Sequence, residues 1–142
     1  MDFSLTDDQL MIQAAARDFA KREIEPVAAR LDESGEFPAD TIRKAGELGF
    51  MGVEVPEEYG GAGLDAISFC LMMEEIAAVD AAHSTIISVN NSLYCNAILQ
   101  FGSEQQKQSF AQRSSRGTRV PTPCLQGPAS SHVAMACDGC RP

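Results

Sequence analysis

The stretch DAISFCLMMEEIAAV, residues 65–79, decides the fold class. Apolar residues occupy most sides of a helix drawn through it, which is typical of a helix buried among other elements. The stretches on both sides of it also carry helix signals, so we expect this segment to pack inside a helical assembly.

The chain before this stretch predicts further helices. A capping box, Thr6-Asp7-Asp8-Gln9, starts the first one, since its hydroxyl and its glutamine side chain can satisfy backbone N–H groups at a helix start. Pro26 ends or kinks this helix, or starts a second one. A short helix fits residues 39–48, with Gly49 as a left-handed stop. Residues 50–56 alternate enough to be extended, although no second strand is evident.

The chain after the stretch continues in the same way. Residues 83–100 predict a helix with an apolar side, and Ser103-Glu104-Gln105-Gln106 is a second capping box that starts a last helix. Five or six helices with at most a trace of strand predict an all-α helical bundle.

The composition is ordinary for a soluble globular domain. The chain has 142 residues, of which 44% are apolar and 22% charged. No apolar run approaches the roughly 20 residues that span a bilayer. The net charge of −9 argues against nucleic acid or an anionic membrane as a partner.

The charge is unevenly placed along the chain. Residues 1–110 carry 7 Lys and Arg against 19 Asp and Glu, whereas residues 111–142 carry 4 Arg against 1 Asp. The second segment also holds four of the seven Pro and three of the five Cys. We therefore expect a helical domain over residues 1–110 and an irregular tail over residues 111–142.

Few residues point to chemistry. Gly60-Gly61-Ala62-Gly63 is interpreted as a turn, with a phosphate-binding loop as the alternative. Glu74 and Glu75 could serve acid–base catalysis, but adjacent helix residues do not face each other, so one is expected to face solvent or an arginine. Cys137 and Cys140 have redox or half-zinc spacing, for which accidental spacing is the competing interpretation. Neither a catalytic constellation nor a metal site is predicted.

One polar patch interrupts an apolar helix. Asn90-Asn91-Ser92 lies inside the helix predicted over residues 83–100. Buried polar side chains need partners, so the patch either makes hydrogen bonds between helices or lines a ligand cavity between them.

Several of these stretches, taken in order, resemble the N-terminal helical domain of the acyl-CoA dehydrogenase family. The Asn91-Ser92-Leu93-Tyr94 stretch is most similar to short-chain, butyryl-type members. The other matching stretches are Leu5 to Gln9, Phe37-Pro38, Gly49 to Val53, Val55 to Gly63, Met73 to Glu75 and Phe101 to Lys107.

The resemblance implies a flavoprotein oxidoreductase of fatty acid beta-oxidation. Family members use FAD to oxidise an acyl-CoA substrate to the 2,3-enoyl-CoA, with a glutamate as base, and electron-transferring flavoprotein reoxidises the flavin. The full fold has a helical, a β and a second helical domain. The helix matching residues 83–100 lines the acyl pocket in the family, so Val89, Asn90 and Leu93 are the expected substrate-binding residues.

The tail departs from the family pattern. Residues 111–142 lack the family's flavin-binding segment, as a translated shifted frame or a divergent linker would. We therefore expect a truncated member of the family that does not retain FAD, is inactive alone and self-associates. No catalytic residue is expected in it, and its cofactor-binding residues are not assigned. The alternative is a stand-alone helical acyl-binding or subunit-interaction module. The expected location is the cytoplasm of a bacterium, or the mitochondrial matrix of a eukaryote.

Overall fold

The structure, a computed structural model, describes residues 4–111 together with 123–124 and 134–135. It is all-α over residues 4–111, as the sequence predicts. One helical run begins at each of the two predicted capping boxes, and further helices begin between these two points. The α-helices are α1 (Asp7–Phe19), α2 (Glu25–Ser34), α3 (Ala39–Glu47), α4 (Ala66–Ala77), α5 (Ala81–Ser88), α6 (Asn96–Phe101) and α7 (Glu104–Gln106).

Several α-helices are joined end to end by wider, π-helical turns. Ala20–Ile24 joins α1 to α2, Val89–Cys95 joins α5 to α6, and Lys107–Ala111 follows α7. The helical run therefore continues through Pro26, which occupies the first turn of α2. Both capping boxes are confirmed, with Thr6 and Ser103 as the N-caps.

The core lies where α1, α3, α4 and α5 meet. Two contacts show that α1 and α4 run parallel. Gln9 Nε2 donates to Asp65 at 2.8 Å near the first turns of both helices. Arg17 contacts Glu75 near their last turns. The rings of Phe19 and Phe50 pack edge to face with centroids 5.5 Å apart. The buried apolar cluster comprises Ile12, Ala16, Phe19, Ala20, Ile24, Ile42, Ala45, Phe50, Met51, Val53, Met72, Ile76 and Ile87.

Helix α4 is only half buried, which corrects the expectation that it is buried all round. Ser68, Met72 and Ile76 face the core. The opposite side carries the exposed Glu74 together with Ile67, which is 54% exposed, and the exposed Cys70. Two apolar side chains of the described residues thus lie exposed on this helix, and we call them the α4 outer face, defined by Ile67 and Cys70.

The expectation that residues 50–56 are extended is wrong. Phe50–Gly52 forms a 3-10 turn after Gly49, whose φ of 82° confirms the predicted left-handed stop. The backbone N–H groups of Ala62 and Leu64 donate to the carbonyls of Gly52 and Val53, at 2.9 and 2.8 Å. A second 3-10 turn, Glu57–Tyr59, lies between the two hydrogen-bonded stretches. Alternation failed as a guide here because the partner of this segment is a folded-back loop rather than a strand.

Beyond residue 111, two short strands are described. Pro123–Cys124 (β1) and Ala134–Met135 (β2) pair antiparallel, with Pro123 opposite Met135. The predicted irregular tail otherwise lies outside the described residues, and so do Cys137 and Cys140. The domain boundary at residue 110 therefore stays a prediction.

Candidate functional site

The expected substrate-binding residues lie on the π-helical turn between α5 and α6. Val89 and Leu93 are one turn apart, Val89 is half-buried, and Leu93 is 46% exposed. Asn90 is only 1% exposed and lies on the inner side of the same turn. The structure therefore brings Val89 and Leu93 together at an open surface and places Asn90 behind them.

Two asparagine side chains fasten this turn to the segment after Gly49. Asn90 Nδ2 donates to the Met51 carbonyl at 2.6 Å. Asn91 Nδ2 donates to the Phe50 carbonyl, and Asn91 Oδ1 accepts from the Val53 backbone N–H, both at 2.9 Å. The polar patch therefore makes hydrogen bonds, which is one of its two interpretations. The partner of the asparagines is the 3-10 turn after Gly49 rather than another helix. The acyl contact of Asn90 stays a prediction.

The glycine loop after Tyr59 serves the packing of the chain itself. A Cβ on Gly61 would lie 2.1 Å from the Val55 carbonyl oxygen, and one on Gly63 would lie 3.3 Å from Glu57 Cγ. Protein atoms thus crowd the Cβ positions of Gly61 and Gly63. The turn interpretation is confirmed by Gly60, whose φ of 80° ends the Glu57–Tyr59 turn, and the phosphate-binding alternative stays a prediction.

The two adjacent glutamates have separate roles. Glu75 accepts from Arg17 Nε at 2.9 Å and from Arg17 Nη2 at 2.6 Å, a bidentate ion pair that lowers the pKa of Glu75. Glu74 is exposed to solvent. The expectation that one of them faces an arginine is confirmed, and the two carboxylates do not face each other as an acid–base pair would.

A buried histidine escaped the sequence analysis. The His83 ring, 2% exposed, lies between Asp80 Oδ2, 2.5 Å from Nδ1, and Thr41 Oγ1, 2.7 Å from Nε2. Thr41 belongs to α3, so this contact ties α3 to the start of α5. Asp80 is also the N-cap of α5. The spacing of Asp80 and His83 was the available signal, but the position of Thr41 across the fold was not readable from the chain.

A second polar cluster joins the glycine loop to α7. Tyr59 Oη donates to Glu104 Oε2 at 2.8 Å, and Lys107 Nζ donates to Glu104 Oε1 at 2.9 Å. The hydrogen bond to Glu104 raises the pKa of Tyr59 to about 12. The cluster fixes the start of the last helical run against the loop.

Within residues 4–111 and the two short strands, no three His, Cys, Asp or Glu side chains gather as a metal site requires. Over the same residues, no helix has the length and apolar character that crossing a bilayer demands.

Comparison with known proteins identifies relatives of this arrangement. The family model for the acyl-CoA dehydrogenase N-terminal domain matches residues 6–118, a range that extends past the boundary expected at residue 110. The mitochondrial short-chain specific acyl-CoA dehydrogenase of Rattus norvegicus is 41% identical over 132 residues, which are 93% of this chain and 32% of that protein. The chain therefore spans about a third of the length of the curated relatives it matches.

Solved structures give the same result. A chain in a structure of the electron transferring flavoprotein of Acidaminococcus fermentans superposes with a TM-score of 0.85 at 40% identity, covering 92% of this chain and 34% of that one. Butyryl-CoA dehydrogenase from Megasphaera elsdenii superposes with a TM-score of 0.82 at 34% identity, covering 92% and 35%. The match of family, sequence and fold over the helical residues shows that the chain belongs to the acyl-CoA dehydrogenase family and corresponds to its N-terminal domain.

Proposed function

We propose that the chain supplies one wall of the acyl pocket of a short-chain acyl-CoA dehydrogenase and does not catalyse the reaction by itself. The observation that carries this proposal is the 41% identity to a short-chain specific member over 93% of the chain. In the family reaction, an acyl-CoA is oxidised to the 2,3-enoyl-CoA.

Val89 and Leu93 are the proposed acyl contacts. Both are apolar, they lie one turn apart, and Leu93 presents much of its side chain to the surface. An apolar wall of this kind suits a short fatty chain. Asn90 supports the wall from behind through its bond to Met51.

Neither base nor flavin holder is assigned to the described residues. Glu75 is committed to Arg17, and Glu74 lies on the exposed side of α4. Val55 and Glu57 pack against Gly61 and Gly63 of the glycine loop. Base and flavin must be held together for this reaction, since positioning of that kind supplies roughly 7–11 kcal/mol of a barrier. FAD is therefore assigned to the wider family fold rather than to the helical residues of this chain.

An activity assay tests this proposal. We expect no turnover of butyryl-CoA with a dye electron acceptor when the purified chain is supplemented with FAD. We also expect no visible flavin absorbance after the free FAD is removed. Turnover above the no-protein control that is abolished by Glu74→Gln or Glu75→Gln would contradict the proposal.

A stand-alone helical module is the second candidate function. It is favoured by the hydrogen bonding of the described residues, among which every buried side-chain nitrogen and oxygen has a partner. Such a module would bind acyl chains or pair with other subunits. A monodisperse monomer with a cooperative melt favours this candidate over a dependent domain.

Partners and location follow from the family. Electron-transferring flavoprotein is the proposed electron acceptor of the complete enzyme, and a second copy of the chain is the proposed partner of the α4 outer face. The relatives come from a mitochondrial and a bacterial source. We propose the bacterial cytoplasm, with the mitochondrial matrix as the eukaryotic alternative.

A further inference from the structure

The helical run from α5 to α6 widens where the proposed acyl contacts lie. Over Val89–Cys95 the helix is π-helical, and the backbone N–H of Asn96 donates to the carbonyl of Asn91, five residues back. A regular α-helix would instead bond residues four apart. Turns of this kind occur frequently at functional sites.

The Asn91 side chain supplies a physical cause for the widening. Its Nδ2 donates at 2.9 Å to the carbonyl of Ile87, which is the acceptor that the Asn91 backbone N–H takes in a regular α-helix. Insertion of a side chain into the hydrogen-bond ladder is one of the recognised causes of irregularity in a helix. Ser92 Oγ makes the equivalent contact with the Ser88 carbonyl at 2.7 Å.

The same side chain is held from the other end. Asn91 also donates to Phe50 and accepts from Val53, so its buried carboxamide makes three hydrogen bonds. Removal of one partner of a buried hydrogen bond leaves the other group unsatisfied. These contacts fasten the turn to the segment after Gly49.

We propose that Asn91 is a positioning residue that holds the widened turn and so sets the direction in which Leu93 faces the acyl chain. The inference about the acyl chain rests on the proposed function, whereas the inference about the turn does not. Closing the turn to an α-helix shifts its hydrogen-bond register by one residue. The residues that follow the turn then rotate by about 100° relative to those before it. A change at Asn91 therefore alters the acyl wall without touching the acyl chain itself.

NMR detection of couplings across hydrogen bonds tests the turn directly in the full chain. In the wild type we expect the Asn96 amide to couple to the Asn91 carbonyl carbon. In Asn91→Leu we expect the coupling to move to the Ser92 carbonyl carbon, four residues back. Gln100→Leu is the matched control, because it replaces an exposed amide of the same helical run, and it keeps the wild-type coupling.

Two results would overturn the inference: a wild-type coupling to Ser92, or an unchanged coupling in a folded Asn91 variant. If Asn91→Leu does not fold, Asn91→Asp takes its place. An aspartate keeps the acceptor for Val53 but cannot donate to Ile87, so the same move of the coupling is expected. The wild-type spectrum shows independently of both variants whether the turn is π-helical.

Butyryl-CoA titration separates this inference from the proposed function. We expect the folded Asn91 variant to bind butyryl-CoA about tenfold more weakly than Gln100→Leu, which corresponds to about 1.4 kcal/mol. If neither the wild type nor any variant binds butyryl-CoA, the proposed function fails. The coupling result still shows whether Asn91 holds the π-helical turn. Equal affinities in variants with different couplings would overturn the positioning role.

Discussion

At Gly61 the backbone of Val55 occupies the space that a side chain would need. A Cβ would approach the Val55 carbonyl oxygen to 2.1 Å, and backbone cannot move aside as a flexible side chain can. We expect Gly61→Ala to lower the free energy of unfolding by about 3 kcal/mol, as severe overpacking does. Urea denaturation monitored by circular dichroism measures this change.

Gly35 provides the control for that substitution. It has a φ of 65° but no atom within 4 Å of its Cβ position, so Gly35→Ala carries only the backbone cost of about 1 kcal/mol. Equal losses in the two variants would mean that the close approach of the glycine loop to Val55 is not a property of the folded domain.

Asp80 should make the stability of the domain depend on pH. Burial raises the pKa of Asp80, but its hydrogen bonds with the ring and the backbone N–H of His83 outweigh burial and leave the pKa lowered. Because the pKa is lowered in the folded state, Asp80 stabilises the fold at pH values above its unfolded pKa of about 3.9. This contribution to stability is lost as the pH falls through the folded pKa. We expect the melting temperature of the wild type to exceed that of Asp80→Asn at neutral pH, and the gap to close in acid.

Asp32→Asn is the comparison for this pH series. Asp32 is exposed on α2, so the same series should show a small gap that does not change with pH. A gap between the wild type and Asp80→Asn that persists unchanged below pH 4 would contradict the role of the Asp80 charge. No gap at any pH would mean that Asp80 acts only as a helix cap, because asparagine caps equally well.

Between elements, Thr41 links α3 to α5 through His83. Thr41→Val keeps the shape of the side chain but removes the hydroxyl that faces the buried ring nitrogen. We expect a loss of about 1–3 kcal/mol in the free energy of unfolding, the usual cost of an unsatisfied buried group. Thr85→Val changes an exposed hydroxyl on α5 and should cost less than about 0.5 kcal/mol. Similar losses in both would contradict the link.

Local signals predicted element ends well, whereas contacts between distant residues were beyond the sequence. Thr6, Ser103 and Gly49 mark helix ends through bonds that span a few residues, so their sequence context suffices. The segment after Gly49 bonds with the folded-back loop at Ala62 and Leu64 and with Asn91, some forty positions later along the chain. Its alternating sequence therefore misled the prediction.

The candidate site shows the same division. Val89 and Leu93 were selected through the family resemblance, and helix geometry brings them together on one side. The burial of Asn90 could not be read from the sequence, because an asparagine among apolar residues fits both a cavity and a hydrogen-bonded contact. The π-helical turn also left no periodic signal, since it extends over only seven residues.

At the scale of the whole molecule, the α4 outer face predicts association. Ile67 and Cys70 are exposed on a helix whose other side forms the core. Exposed apolar patches favour contact with another surface. We expect the purified chain to form dimers or larger species in light scattering, and Ile67→Lys to shift the distribution toward the monomer.

Thr85→Lys adds the same charge at an exposed polar position on α5 and should leave the distribution unchanged. If it dissociates the chain as strongly as Ile67→Lys does, association depends on net charge rather than on the α4 outer face. A wild type that is already monomeric would favour the stand-alone module.

Methyl NMR during a titration with butyryl-CoA tests whether this domain contributes one wall of an acyl pocket. We expect the methyl signals of Val89 and Leu93 to shift together and saturate, while those of Leu48 and Ile67, which are exposed elsewhere, stay in place. Saturating shifts at Leu48 or Ile67 with none at Val89 and Leu93 would contradict this expectation, and so would the absence of any shift.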